Sequence, residues 1–162
     1  MLKKIEFYHL VVTIVFLGAF WAAQDSSAAE RNRLIFISDL HMNVNANYSW
    51  LVDHADDLAQ FFNEVDARDD VAELVILGDL LDDWVSPVKD SPQAFADILA
   101  ASNNAGIVLA LKAVCRNPLV KVTYVTGNHD MLSFDNQNKA IIANAFPGMN
   151  IISESPGLGA YT

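Results

Sequence analysis

Cysteine and basic residues are both scarce in this sequence. Cys115 is the only cysteine among 162 residues, so an internal disulfide is excluded, and we expect a buried free thiol within a helix. Only 10 Lys and Arg residues stand against 20 Asp and Glu residues, which gives a net charge of −10. Because a nucleic-acid groove needs many cationic side chains, this balance argues against nucleic-acid partners and leaves acidic groups available for cations.

The N-terminal apolar run is short for a membrane span. Leu10–Ala23 contains 14 residues, whereas a typical span needs about 20. Two lysines precede this run, and small residues follow it up to Ala29, which is the pattern of a cleaved secretory signal. We therefore expect a signal peptide at residues 1–29 and a secreted or periplasmic domain at residues 30–162. An uncleaved anchor that holds the exported domain at a membrane is the alternative.

No internal repeat or low-complexity tract is visible, and apolar strands alternate with amphipathic helices. The pattern predicts strands at Leu34–Ser38, Leu74–Leu77, Val120–Thr126 and Met149–Ile152. It predicts helices at Trp50–Val65 with Ser49 as N-cap, from Ser91 to about Cys115 with a candidate interruption at Asn103–Gly106, and at Asn136–Phe146. The order βαβαβαβ indicates an α/β fold with parallel strands and right-handed crossovers.

Three of the predicted strands run directly into polar motifs. These motifs are Asp39-Leu40-His41, Gly78-Asp79 with Asp82 three residues on, and Gly127-Asn128-His129-Asp130. Each motif alone is also typical of an ordinary turn. The carboxyl ends of parallel strands share one edge of a sheet, so we expect their side chains to converge. Their oxygen and nitrogen donors suit divalent cations such as manganese, iron or zinc.

Taken together, the three motifs resemble the signature of the calcineurin-like metallophosphoesterases, over about Leu34 to Ile152. The resemblance implies the N-terminal βαβαβαβ portion of an α/β/β/α sandwich. It also implies hydrolysis of small-molecule phosphoesters with two metals and a metal-bound hydroxide as nucleophile. The roles that it implies are Asp39 and His41 on the first metal, Asp79 bridging both, Asn128 on the second, and His129 as catalytic group oriented by Asp82.

The sequence departs from the family pattern downstream of His129. The family supplies further histidines there, whereas no histidine follows His129 in this chain, and the second sheet is also missing. We therefore expect a truncated domain with an incomplete second metal site and little phosphoesterase activity of its own. The alternative is a non-catalytic remnant that binds a metal or a partner weakly.

Other residues near the motifs bear on the substrate and on the surface. Leu77–Trp84 is similar to the second motif of UDP-diacylglucosamine pyrophosphohydrolases, so a UDP-sugar lipid pyrophosphate is an alternative substrate. The export signal argues against the cytoplasmic membrane face where those enzymes act. We expect Trp84 to serve packing, with substrate recognition as the alternative because it lies beside the second motif, and we expect His54 to be a surface histidine.

Overall fold

A computed structural model of the protein describes residues 30–85 and 93–153. The strands are β1 (Arg33–Ile37), β2 (Val71–Leu77), β3 (Lys121–Val125) and β4 (Asn150–Ile152). The helices are α1 (Ala55–Ala67), α2 (Phe95–Ala100), α3 (Ala105–Arg116) and α4 (Asn136–Ala145). The predicted signal peptide lies outside the described residues. Within the described part, no helix is long and apolar enough to cross a membrane.

The four strands form one parallel sheet in the order β1-β2-β3-β4. This arrangement confirms the α/β fold and the βαβαβαβ order that the sequence predicts. Right-handed crossovers that all advance in one direction place every connecting helix on the same face of the sheet. The helices accordingly pack on one another, α1 against α3 and α2 against α4.

The side chains of the central strands alternate between two different environments. Leu74 and Ile76 on β2 pair with Val122 and Tyr124 on β3, and all four are buried. The residues between them point to the opposite face, as the period of two in a strand requires. On that opposite face Phe36 is 59% exposed and Leu77 is 51% exposed. The core of the described part therefore lies between the sheet and its single helical layer.

Strand β2 begins at Val71, whereas the sequence predicts a start at Leu74. The prediction missed the first residues because a polar residue interrupts the apolar pattern. Glu73 lies on the face away from the helices, where its carboxylate accepts the Thr123 hydroxyl at 2.6 Å and pairs with Lys121 at 2.9 Å. The hydrogen bond from Thr123, followed by that from Lys121, lowers the pKa of Glu73. These polar contacts between β2 and β3 satisfy the carboxylate of Glu73 within the strand.

Helix α1 begins at Ala55, so the prediction of a helix from Trp50 with Ser49 as its N-cap is wrong. The Ser49 hydroxyl instead accepts the backbone N–H of Leu51 at 3.3 Å, which closes a local turn. His54 occupies the N-cap position and makes no capping bond with its side chain. Residues 50–54 form turns, and the regular helix starts only after them.

The predicted helix up to Cys115 is divided into α2 and α3. The side chain of Asn104 donates to the carbonyl of Ile98 at 2.8 Å and to that of Asn43 at 3.0 Å. This amide takes up a carbonyl in the last turns of α2 and ties the break to the loop after β1. Cys115 is buried and free, as predicted. The predicted start at Ser91 lies outside the described residues, and α2 itself begins at Phe95.

Candidate metal centre

Backbone hydrogen bonds hold the three polar motifs together beyond the ends of the strands. The N–H of His41 donates to the carbonyl of Asp79 at 2.8 Å, and the N–H of Asp82 donates to the carbonyl of Met42 at 2.9 Å. The N–H of Asp83 donates to the carbonyl of His129 at 3.1 Å. The loops that follow β1, β2 and β3 therefore form one layer at the carboxyl edge of the sheet, as the topology predicts.

Two glycines permit the loops after β2 and β3 to approach each other closely. A Cβ atom at Gly127 would collide with the carboxylate and the backbone nitrogen of Asp79. Gly78 has φ +83°, and a Cβ atom there would lie 2.9 Å from the Cα of Gly127. A larger residue at either position would push the two motifs apart.

Three residues of this layer hold a backbone conformation that side chains normally avoid. Asp39, His41 and Asp79 have φ values of 58°, 46° and 52°, and they are the non-glycine residues with positive φ in the described part of the chain. Conformations of this kind cost on the order of 1–3 kcal/mol each and cluster at functional sites. The strained residues coincide with three of the predicted metal ligands.

The side chains of these three residues converge on one point. The Nε2 atom of His41 lies 3.9 Å from Oδ1 of Asp39 and 3.9 Å from Oδ2 of Asp79. One donor atom from each residue falls within 4.8 Å of the others. Two carboxylates and an imidazole at this spacing fit a divalent cation such as manganese, iron or zinc. Asp39 is exposed, so a cation there would keep positions open to water or substrate.

A second group of donors shares His41 with the first. It consists of His41, Asp82 and His129, and the donor atoms again lie within 4.8 Å of one another. Asp82 is fully buried, and its Oδ1 lies 3.1 Å from Nδ1 of His129. Burial opposes ionisation of Asp82, but hydrogen bonds from the backbone N–H groups of Val85 and Trp84 and from His129 outweigh it and lower the pKa of Asp82.

Asn128 lies on the exposed side of the same layer, between Gly127 and His129. The backbone N–H of His129 donates to Oδ1 of Asp79 at 2.9 Å, so the chain passes directly beside that carboxylate. In the described residues, the only groups of three or more His, Cys, Asp or Glu side chains that could hold a metal are the two above. The structure thus brings Asp39, His41, Asp79, Asp82 and His129 together, while their individual roles stay predictions.

Two tryptophans beside the histidines were not predicted to belong to the site. The ring of Trp50 stacks on His41 at 5.4 Å between centroids, and the ring of Trp84 lies 5.0 Å from that of His129. Trp50 is 75% exposed and Trp84 is 48% exposed, so neither is a core residue. Trp84 thus packs against a histidine of the site rather than in the core, and a role in substrate recognition stays a prediction. Its signal in the sequence was its position directly after the second polar motif.

Asp130 is a further buried carboxylate that joins the motifs. Its Oδ2 accepts the N–H of Leu80 at 2.8 Å, and its Oδ1 accepts the N–H of Gly127 at 2.7 Å. Burial raises the pKa of Asp130 although these hydrogen bonds oppose the shift. The bonds fix the loop after β2 to the loop after β3. His54, by contrast, is exposed and pairs with Asp57, which agrees with its assignment to the surface.

Comparison with known proteins agrees with this geometry. A parallel α/β sheet with carboxylates and histidines at its carboxyl edge fits an enzyme that uses metal ions. The family model for the calcineurin-like phosphoesterases matches residues 32–158. The chain therefore belongs to the calcineurin-like phosphoesterase family, which indicates a metal-dependent phosphoesterase. No match to a curated protein was found.

Proposed function

We propose that the protein hydrolyses phosphoesters with two divalent cations held at the carboxyl edge of its sheet. The observation that carries this proposal is the left-handed backbone of Asp39, His41 and Asp79. Local strain persists only where the surrounding structure maintains it, and here it aims three donors at one point. A purely structural turn would have no reason to strain three ligand positions in this way.

The predicted ligands serve two cation positions. Asp39 and His41 would hold the first cation, Asp79 would contribute to both, and Asn128 would supply a neutral oxygen for the second. Manganese, iron or zinc fits this donor set. When bound, the cations activate a water molecule and neutralise the phosphoryl oxygens.

His129 handles the phosphoryl group or the proton of the leaving oxygen. Its Nδ1 is engaged by Oδ1 of Asp82 at 3.1 Å, so Nε2 is the nitrogen left for the substrate. A carboxylate partner fixes the tautomer of an imidazole. His129 is half-buried, which leaves one edge of its ring accessible from solvent.

The exposed rings of Trp50 and Trp84 support a small-molecule substrate with a planar or apolar leaving group. Aromatic side chains that flank a polar site bind such groups through their faces. A UDP-sugar lipid pyrophosphate has both a planar base and an apolar part, so it remains a candidate substrate. Chromogenic aryl phosphoesters carry the same feature and are suitable first probes.

The test of this function is the Asp79→Asn variant of the 162-residue chain, assayed with Mn²⁺ on an aryl phosphomonoester and an aryl phosphodiester. We expect slow hydrolysis, below the 1–10³ per second of typical enzymes, because the second cation has few ligands. Asp79→Asn should abolish the reaction and weaken Mn²⁺ binding, since it removes charge at the shared position. His54→Gln, which alters an exposed histidine away from the site, is the matched control. Turnover that survives in Asp79→Asn or needs no metal would contradict the proposal.

A second candidate function is cation binding without catalysis. It is favoured by the second cation position, where Oδ1 of Asp79 already accepts the N–H of His129 and Asn128 is a neutral amide. Stoichiometric Mn²⁺ binding that is lost in Asp79→Asn, with no hydrolysis of either probe, would favour this alternative over the enzyme.

We propose further that the protein is exported and cleaved between Ala29 and Glu30. The short apolar run and the small residues before the cut support this site. N-terminal sequencing of the exported protein should give Glu30 as the first residue. Ala29→Gln should block cleavage because a large side chain does not fit the rule for small residues. An intact Met1 in a membrane fraction would instead identify the segment as an anchor.

A further inference from the structure

One carboxylate of the centre lies between its two histidines. We propose that Asp82 is a positioning residue for His41 as well as for His129, and that it fixes the proton of neutral His41 on Nδ1. The inference rests on the proposed function in so far as His41 is taken as a cation ligand. It assigns to Asp82 a contact with the cation site itself, in addition to its contact with His129.

The geometry around the second oxygen of Asp82 carries the inference. Oδ2 of Asp82 lies 3.4 Å from Nδ1 of His41, and both side chains are buried. Neither atom has a hydrogen-bond partner among the described residues. Leaving a buried polar atom unpaired costs about 1–3 kcal/mol. Each of these two atoms can serve as the hydrogen-bond partner of the other, and a small shift of the side chains would form that bond.

The first oxygen of Asp82 is already occupied. Oδ1 accepts the N–H groups of Trp84 and Val85, each at 3.0 Å, and lies 3.1 Å from Nδ1 of His129. Only Oδ2 therefore remains for His41. The carboxylate divides its oxygens, one for the loop and His129 and the other for His41.

The division of the oxygens determines which nitrogen of His41 can bind a cation. A neutral imidazole carries one N–H, and the other nitrogen is its acceptor. With the proton on Nδ1 facing Asp82, the lone pair of Nε2 points to the position shared with Asp39 and Asp79. Histidines that bind metals commonly donate their second N–H to a carboxylate, and loss of that partner costs 10–100-fold in affinity.

The Asp82→Asn substitution separates the two contacts. The N–H groups of Trp84 and Val85 require an acceptor at Oδ1, so the amide oxygen takes that place and the NH₂ group takes the place of Oδ2. The NH₂ group then donates to Nδ1 of His41 and moves the ring proton to Nε2, where the cation binds. His129 keeps its acceptor in this variant.

The direct measurement is ¹⁵N NMR of the metal-free full chain with labelled histidine, at alkaline pH where the rings are neutral. We expect His41 in the wild-type protein to carry its proton on Nδ1. Its signals are assigned from the spectra of His41→Gln and His129→Ala. A wild-type His41 with its proton on Nε2 would overturn the inference. This measurement does not depend on turnover or on cation binding, so it remains decisive if the proposed function fails.

The second measurement is the affinity for Mn²⁺, followed by electron paramagnetic resonance. Asp82→Asn should bind Mn²⁺ about 10–100-fold more weakly than the wild type and carry the His41 proton on Nε2. His54→Gln, which alters an exposed histidine away from the site, should keep wild-type affinity. Unchanged affinity and an unchanged tautomer in a folded Asp82→Asn protein would overturn the inference. Circular dichroism establishes folding, and if the variant does not fold, the wild-type spectrum decides alone.

Discussion

Asp83 differs from the other buried carboxylates of the centre in the surroundings of its side chain. Its backbone makes two hydrogen bonds. The N–H donates to the carbonyl of His129, and the carbonyl accepts the N–H of Gln93 at 3.2 Å. Neither carboxylate oxygen has a hydrogen-bond partner among the described residues. Burial, followed by the nearby charge of Asp130, raises the pKa of Asp83 to about 6. The backbone of Asp83 therefore holds the loop in place, while its ionised side chain lowers the stability of the folded protein.

This cost predicts a pH-dependent gain in stability for Asp83→Asn. The folded pKa of Asp83 is about 6, above the ordinary value of 3.8, so between these values the folded protein binds the extra proton. The contribution of Asp83 to stability therefore falls as pH rises from about 4 to 6 and stays low above it. Asp83→Asn should match the wild type near pH 4 and exceed it above pH 6 by roughly 1–3 kcal/mol. Denaturant unfolding of the metal-free protein at several pH values measures the difference.

The control for this prediction is Asp97→Asn, because Asp97 is an exposed carboxylate on α2. It removes the same charge without changing a buried group, so it reports the effect of net charge together with the loss of an acid from the first turn of α2. A gain in Asp83→Asn that is the same at every pH, or the same as in Asp97→Asn, would show that burial of Asp83 is not the cause.

Among the elements, the end of β3 has the strictest spatial requirement. Gly127 lies against the backbone and the carboxylate of Asp79, and its N–H binds Asp130. The predicted ligand Asp79, in the loop after β2, therefore depends on the absence of a side chain at Gly127, in the loop after β3. The loops after β2 and β3 are therefore coupled by direct contact as well as by hydrogen bonds.

Gly127→Ala should weaken Mn²⁺ binding and destabilise the protein. The added Cβ atom has no space beside Asp79, so either the ligand or the whole loop must move. Overpacking of this kind typically costs about 1–3 kcal/mol. Isothermal titration with Mn²⁺ and thermal unfolding measure the two effects.

Gly106→Ala is the matched control on a helix. A Cβ atom at Gly106 would lie 3.7 Å from the Cβ of Ala59, which is an ordinary contact, and alanine favours the helix by up to about 1 kcal/mol. This variant should be as stable as the wild type or more stable, with unchanged Mn²⁺ affinity. If both glycine variants behaved alike, the close approach at Gly127 would not be the reason for its effect.

Much of the arrangement of strands and helices could be predicted from local sequence patterns. The parallel strands and the convergence of Asp39, Asp79 and His129 follow from apolar runs and from the order of elements. The start of α1 could not be predicted from these patterns, because residues 50–54 form turns instead of helix. The break before Ala105 lies at the interruption that the sequence predicts, but the hydrogen bond from Asn104 to the distant backbone of Asn43 could not be predicted. The contacts of Trp50 and Trp84 with the histidines also required the folded loops.

At the scale of the whole described domain, the sheet is covered on one side only. The helices bury one face, while Leu34, Phe36, Leu77 and Ile152 are exposed on the other. Between them lie the polar contacts of Glu73, which interrupt the apolar surface at its centre. The one-directional strand order causes this asymmetry, since right-handed crossovers then keep every helix on the same side.

An apolar sheet face of this kind should make the chain bind apolar dyes and associate as its concentration rises, because soluble proteins rarely expose large apolar patches. We expect Phe36→Gln combined with Leu77→Gln to reduce dye fluorescence and to shift sedimentation toward the monomer. Unfolding free energy should change little, within about 0.5 kcal/mol for each exposed position.

Leu109→Gln is the matched control, since Leu109 is an exposed leucine on α3, which belongs to the helical layer. Equal effects of the sheet and helix variants would indicate that general surface polarity, rather than this face, governs association. Because neither Phe36 nor Leu77 is a predicted ligand, Mn²⁺ affinity should stay at the wild-type value in the double variant.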